Sequence, residues 1–197
     1  DVTFSGAGTR SFSLGGNSLG DNEFRIRLRN NPNANEALSL TKADGGLWIL
    51  NPATSNTFTG ITTISGGQLR AVVSGTVVGI PTNSPITLDG GVLEVGGATF
   101  TRSLAASVAG TGTISLANTA GFASGTPARL VVSLGVGATA NADLTWGTTA
   151  GFASTTSLVL GSGTALGETE ITNNINLGTA ARTITVNNNG NTGAMIT

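Results

Sequence analysis

The chain has 197 residues, enough for one domain with its own core. Charged side chains make up only 10% and the formal net charge is -1, which supplies no field for capturing nucleic acid or an anionic membrane. Cysteine, histidine and tyrosine are all absent, which excludes disulfide frameworks, thiolate metal sites and the commonest general base, so no cofactor is expected.

Glycine, at 30 residues, punctuates short apolar runs, and no window keeps helical spacing without Gly, Thr or Asn interrupting it. The predicted elements are therefore strands. Asp1-Val2-Thr3-Phe4-Ser5-Gly6 reads as the first, in a chain whose opening Asp1 suggests a processed product or an excerpt. Arg10–Leu14 alternates strictly. Phe24–Arg29 alternates too, placing Arg25, Arg27 and Arg29 on one face and Phe24, Ile26 and Leu28 on the other.

Next comes an internal repeat. Asp44-Gly45-Gly46-Leu47-Trp48-Ile49-Leu50 is echoed by Ser65-Gly66-Gly67-Gln68-Leu69-Arg70-Ala71 and by Asp89-Gly90-Gly91-Val92-Leu93-Glu94-Val95, at spacings of 21 and 24 residues. Gly112-Thr113-Ile114-Ser115-Leu116 follows as a fourth copy. Thr119–Ser124 then recurs 30 residues later as Thr149–Ser154. Ala71–Leu88, a long charge-poor stretch, contains Pro81, Asn83 and Pro85 and so does not read as a membrane span.

A turn followed by a short alternating strand at this period predicts an all-β β-solenoid of about seven to nine coils, with the β-sandwich as the alternative. Residues 1–197 read as one solenoid domain, alone or as a unit of a longer or polymeric array. Trp48, Leu69, Leu93, Ile114 and Leu144 are expected to stack as one interior column.

Leu40-Thr41-Lys42-Ala43-Asp44-Gly45-Gly46-Leu47-Trp48-Ile49-Leu50, followed by Asn56-Thr57-Phe58-Thr59-Gly60-Ile61-Thr62-Thr63-Ile64-Ser65-Gly66-Gly67-Gln68-Leu69-Arg70, resembles the autotransporter-associated β-strand repeat. The match covers about thirty residues, with Phe58 at the usual Tyr and Asp44 at the usual Gly. The resemblance implies a β-helical, extracellular or cell-surface segment of a large bacterial protein. It implies no enzymatic activity in the repeat, so no catalytic residue is carried over.

Several groups are candidates for function. Arg25, Arg27 and Arg29 form the best face for an anionic surface polysaccharide or a partner's carboxylates, against the plainer reading of a solvated face balanced by Glu23 and Glu36. Asp21 with Glu23, and Glu168 with Glu170, are acids at strand spacing that could hold Ca²⁺ or act as a glycosidase pair, but no third ligand lies nearby. The runs Asn30–Asn35 and Asn187–Asn191 read as turns, with stacked asparagine ladders as the alternative. Lys42 is the only lysine, and nothing marks it for a cross-link.

A solenoid has two open ends, and neither terminus offers a clear cap. Asp1, Val2, Thr3 and Phe4 at one end and Met195 and Ile196 at the other are the candidate joint residues. Gly178–Val186 resembles Gly6–Leu14, so the ends could present similar rungs. The expectation is a structural extracellular protein that continues end to end with itself as partner, without catalysis, nucleic acid or membrane insertion. An adhesin or carbohydrate-binding module is the alternative, and a polysaccharide-cleaving enzyme is third.

Overall fold

The computed structural model describes residues 1–32, 36–106, 111–187, 190 and 193–197, and every regular element among them is a strand. In chain order these are β1 (Arg10–Leu14), β2 (Glu23–Phe24), β3 (Leu38–Lys42), β4 (Leu47–Leu50), β5 (Thr62–Ile64), β6 (Gln68–Ala71), β7 (Val73–Ser74), β8 (Val77–Val78), β9 (Ile86–Asp89) and β10 (Val92–Val95). There follow β11 (Thr99–Leu104), β12 (Thr113–Ala117), β13 (Thr119–Ser124), β14 (Leu130–Val136), β15 (Leu144–Thr145), β16 (Ser157–Leu160), β17 (Thr169–Ile171), β18 (Ile175–Asn176), β19 (Ile184–Val186) and β20 (Ala194–Ile196).

Two sheets dominate. One has nine strands in the order β1-β3-β5-β9-β12-β11-β14-β17-β20, the other seven in the order β19-β16-β13-β10-β6-β4-β2. Every pairing within them is parallel, unlike the antiparallel pairing of a β-sandwich. The chain lays a strand in the first sheet, turns a corner, lays one in the second and returns, so each pass adds a tier.

Alternation sets which side of the nine-stranded sheet faces inward. In β3, Leu38, Leu40 and Lys42 are buried while Ser39 and Thr41 are half-buried, and β9 and β12 repeat the pattern. In the seven-stranded sheet Trp48, Leu69, Leu93, Phe122, Leu160 and Val186 stand in register as one column. The expected column is thus right for three of its five members and wrong for two. Ile114 pairs with Ile86 in the other sheet, and Leu144 pairs with Ile175 in a two-stranded sheet. The reason is local: Gly112 resembles a corner glycine, but the corner of its tier is Asn118, after the strand instead of before it.

The repeated Gly-Gly motifs are those corners. Asp44 (φ 57°), Gly67 (φ 59°), Gly90 (φ 119°) and Asn118 (φ 48°) take left-handed backbone at successive tiers. Gln68 N donates to Gly46 O at 3.1 Å and Val92 N to Gly67 O at 2.9 Å, so corner backbone rests directly on corner backbone. Lys42 lies fully buried in the column between Leu14 and Ile64. Its ammonium donates to the corner carbonyls of Ala43, Asp44 (2.8 Å) and Gly66 (3.0 Å). Burial lowers its pKa, partly opposed by the Asp44 carboxylate.

Two features were not legible in the repeat. The nine-stranded sheet is out of chain order at one place, where β12 lies between β9 and β11. The outer face of the seven-stranded sheet is also covered, because Ala165 packs on Val92, Ala123 and Val159. Beneath that cover Arg70 Nε meets Glu94 Oε2 at 2.7 Å, and the hydroxyls of Ser162 and Thr164 donate to Glu94 Oε1.

The reading of Asp1–Gly6 as a strand is corrected. Val2 N donates to Arg27 O at 3.0 Å, and Val2 and Phe4 pack on the core without forming a strand. The strand expected over Phe24–Arg29 stops at Phe24, and Ile26 is 51% exposed. There the chain must leave the second sheet for the next tier, and it is pinned by Leu28, whose N–H donates to Asn56 Oδ1 at 2.7 Å. The two similar segments near the ends also part company, since Gly6–Leu14 contains β1 of the nine-stranded sheet and Gly178–Val186 contains β19 of the seven-stranded one.

Candidate functional site

A parallel stack exposes backbone donors and acceptors at the outer edge of its first and last strands. Here those strands are β1 and β2 at one end and β20 and β19 at the other. Each pairs on one side only among the described residues.

The first tier is hollow. A cavity of about 320 Å³ opens there, lined by Val2, Phe4, Phe12, Leu28 and Leu38 among others. Phe12 and Phe24, from the two sheets, meet across the interior with ring centroids 5.0 Å apart. Leu19 and Ile26 are exposed at this end. At the last tier Leu177, Ile184, Val186, Met195 and Ile196 are all exposed. Of the candidate joint residues, Met195 and Ile196 thus lie on an open strand. Asp1, Val2, Thr3 and Phe4 instead edge the hollow, where Val2, Thr3 and Phe4 are part of its lining.

The arginine face is engaged within the chain. Arg25 pairs with Glu23 at 3.6 Å, while Arg27 and Arg29 reach the Asp1 carboxylate at 3.9 and 3.5 Å. Arg27 Nε also donates to Ser55 O at 3.0 Å. These groups hold the amino-terminal segment against the first tier.

Glu168 and Glu170 share Arg129, at 3.4 and 2.9 Å. Hydrogen bonds from Arg129 and Thr197 hold the Glu170 carboxyl below the ordinary carboxylate value, and the Arg129 guanidinium is raised by the same contact. Since the Thr197 hydroxyl donates to Glu170 Oε1 at 2.9 Å, this network fastens the end of β20. Among the described residues no group of three or more acids is placed to hold a metal ion.

The asparagine runs lie partly outside the described residues, at 33–35, 188–189 and 191. Within the first run Asn30 Oδ1 accepts from Leu38 N at 3.2 Å and Thr59 N at 2.9 Å, and two asparagines outside the runs also replace backbone inside the fold. Asn56 accepts from Leu28 N and donates to Gly79 O, and Asn173 accepts from Leu134 N and donates to Leu134 O and Ala142 O. The only sequence signal of these two is an asparagine near alternating apolar residues.

No family model, no curated protein and no solved structure matches this chain.

Proposed function

We propose that the two parallel sheets form a β-solenoid and that the chain is a structural protein of an extracellular bacterial surface fibre, each end stacking on the opposite end of the next copy. The observation that carries this reading is the pair of ends, each with strands paired on one side only among the described residues: a hollow lined by Val2, Phe4, Phe12 and Leu28 at one, exposed Ile184, Val186, Met195 and Ile196 at the other. Because all strands of both sheets run parallel, a second copy added head to tail continues them in the same sense. A contact between unlike faces that repeats along the stacking axis does not close on itself and gives a filament. Resemblance of Leu40–Leu50 and Asn56–Arg70 to the autotransporter-associated repeat supports the surface location and the absence of catalysis.

The test is electron microscopy with sedimentation of the purified chain over a wide concentration range. The expected result is fibres with an axial repeat of roughly 35 to 45 Å, the height of nine strands at about 4.8 Å each. Substituting Ile196→Lys on β20 should shorten them. Isolated short rods at every concentration overturn the reading. The arginine face is not a free surface for the adhesin alternative, because Arg25 pairs with Glu23 while Arg27 and Arg29 share Asp1.

A further inference from the structure

The out-of-order strand leaves a vacancy. β11 pairs with β14 over six residues, Thr99 to Leu104, but with β12 only through Ser103 and Leu104. β12 cannot extend further back alongside β11, because Thr111 and Gly112 form a turn with Gly112 at φ 75°. Beside Thr99–Arg102, therefore, one tier of described backbone is missing between β11 and the approach to β9. A cavity of about 190 Å³ lies there, walled by Val73, Ile80, Leu93, Val95 and Phe100 and opening toward the exposed Val73.

One charge lines this apolar space. Arg102 is 7% exposed, and the ion pairs of the described residues do not include it. Its Nη1 donates to Thr82 O (2.8 Å) and Ser84 O (2.9 Å), and Nη2 to Pro81 O (3.0 Å). A guanidinium has five N–H donors, so Nε–H and one Nη2–H remain without a partner among the described residues. Burial pushes its pKa down to about 10, the direction expected of a cation that no anion compensates. Carbonyl dipoles fix the side chain but do not neutralise it.

We propose that this cavity binds a small amphipathic carboxylate, its apolar body among Val73, Ile80, Val95 and Phe100 and its carboxylate on Arg102. An apolar hole of about 150 Å³ accommodates benzene, so the space fits an aryl or short alkyl acid. The guanidinium prefers the acid over a neutral analogue of equal shape, since a carboxylate accepts charge-assisted bonds that an amide cannot match.

Phenylacetate and phenylacetamide, titrated into the whole chain and followed by nuclear magnetic resonance, test the site. Phenylacetate is expected to bind with a Kd of about 1 mM or below, and the amide at least about tenfold more weakly. Ala71→Leu, which fills the cavity from β6, should abolish binding with the circular dichroism spectrum unchanged. In the unaltered chain the phenyl protons should show Overhauser contacts to the Val95 methyls, so the site is located even if the variant misfolds. Equal binding of acid and amide, no binding of phenylacetate at about 10 mM, or contacts elsewhere on the surface each overturn the proposal.

Discussion

Gly67 and Gly75 share a φ of 59° but not a neighbourhood, so alanine at each separates the cost of left-handed backbone from the cost of stacking one corner on another. A Cβ on Gly75, in the turn between β7 and β8, meets nothing within 4 Å. Gly75→Ala should therefore cost only the left-handed penalty, about 1–2 kcal/mol. A Cβ on Gly67 would lie 2.4 Å from Gly46 O and 2.6 Å from Asp44 O, both backbone atoms that cannot swing aside. To reach even 3.0 Å the corner must retreat by about 0.6 Å in a close-packed stack. Two hydrogen bonds hold it there, from Gln68 N to Gly46 O at 3.1 Å and from Val92 N to Gly67 O at 2.9 Å. Weakening both adds about 1–3 kcal/mol, so Gly67→Ala is expected to cost about 2–5 kcal/mol in all. Urea unfolding followed by far-ultraviolet circular dichroism reads the difference. A gap of about 2 kcal/mol would also separate the melting temperatures by roughly 4–8 °C. If the two variants fall within about 0.5 kcal/mol of each other, the corners do not bear on one another as described.

The other predictions concern the two ionic networks. Glu170 has its pKa lowered from 4.5 in the folded chain, so its contribution is complete above that value and is lost as pH falls through the folded one. Acidification should lower the amide-exchange protection factor of Thr197, whose N–H donates to Ile171 O, and Glu170→Gln should remove that acid dependence; the same acid response of the protection factor in both proteins refutes the link. At the buried pair, Glu94→Gln leaves the Arg70 guanidinium without its counter-charge and should cost about 3–5 kcal/mol, whereas the double change Arg70→Met with Glu94→Leu should be neutral or stabilising. Urea midpoints decide the matter, and a double variant as unstable as the single one sinks it.

What the sequence shows well is whatever repeats. The period of Gly-Gly motifs marks the corners because a close backbone approach admits no side chain, and that constraint is local enough to leave a trace at 45–46, 66–67 and 90–91. Alternation in Leu38–Lys42 and Ile86–Asp89 shows which side faces in. What stayed hidden depends on tiers far apart in sequence. The cover over Arg70 and Glu94 comes from Ser162, Thr164 and Ala165, and no pattern near residues 70 or 94 foretells it. Lys42 stands where an aliphatic residue would keep the period, and the carbonyls of its own corner and of the next explain it. The same distance explains the misplaced members of the interior column. Ile114 keeps the right spacing from a glycine and Leu144 the 30-residue recurrence, but spacing does not say on which side of a corner a strand lies.

Arg102 joins these observations. In a stack where every tier repeats the last, a cation at an inward position of β11 would break the apolar pattern for no gain, since the neighbouring inward residues are Phe100 and Leu104. It becomes tolerable because β12 takes its place after β11 in the chain and turns away early, which leaves the carbonyls of Pro81, Thr82 and Ser84 for the guanidinium. The irregular order and the irregular residue thus account for each other. Inserting a strand out of order costs pairing along Thr99–Arg102, and a purely structural stack would not retain that cost without compensation. The proposed assembly through the ends and the proposed recognition in this vacancy do not compete, because the residues lining the two cavities are all different.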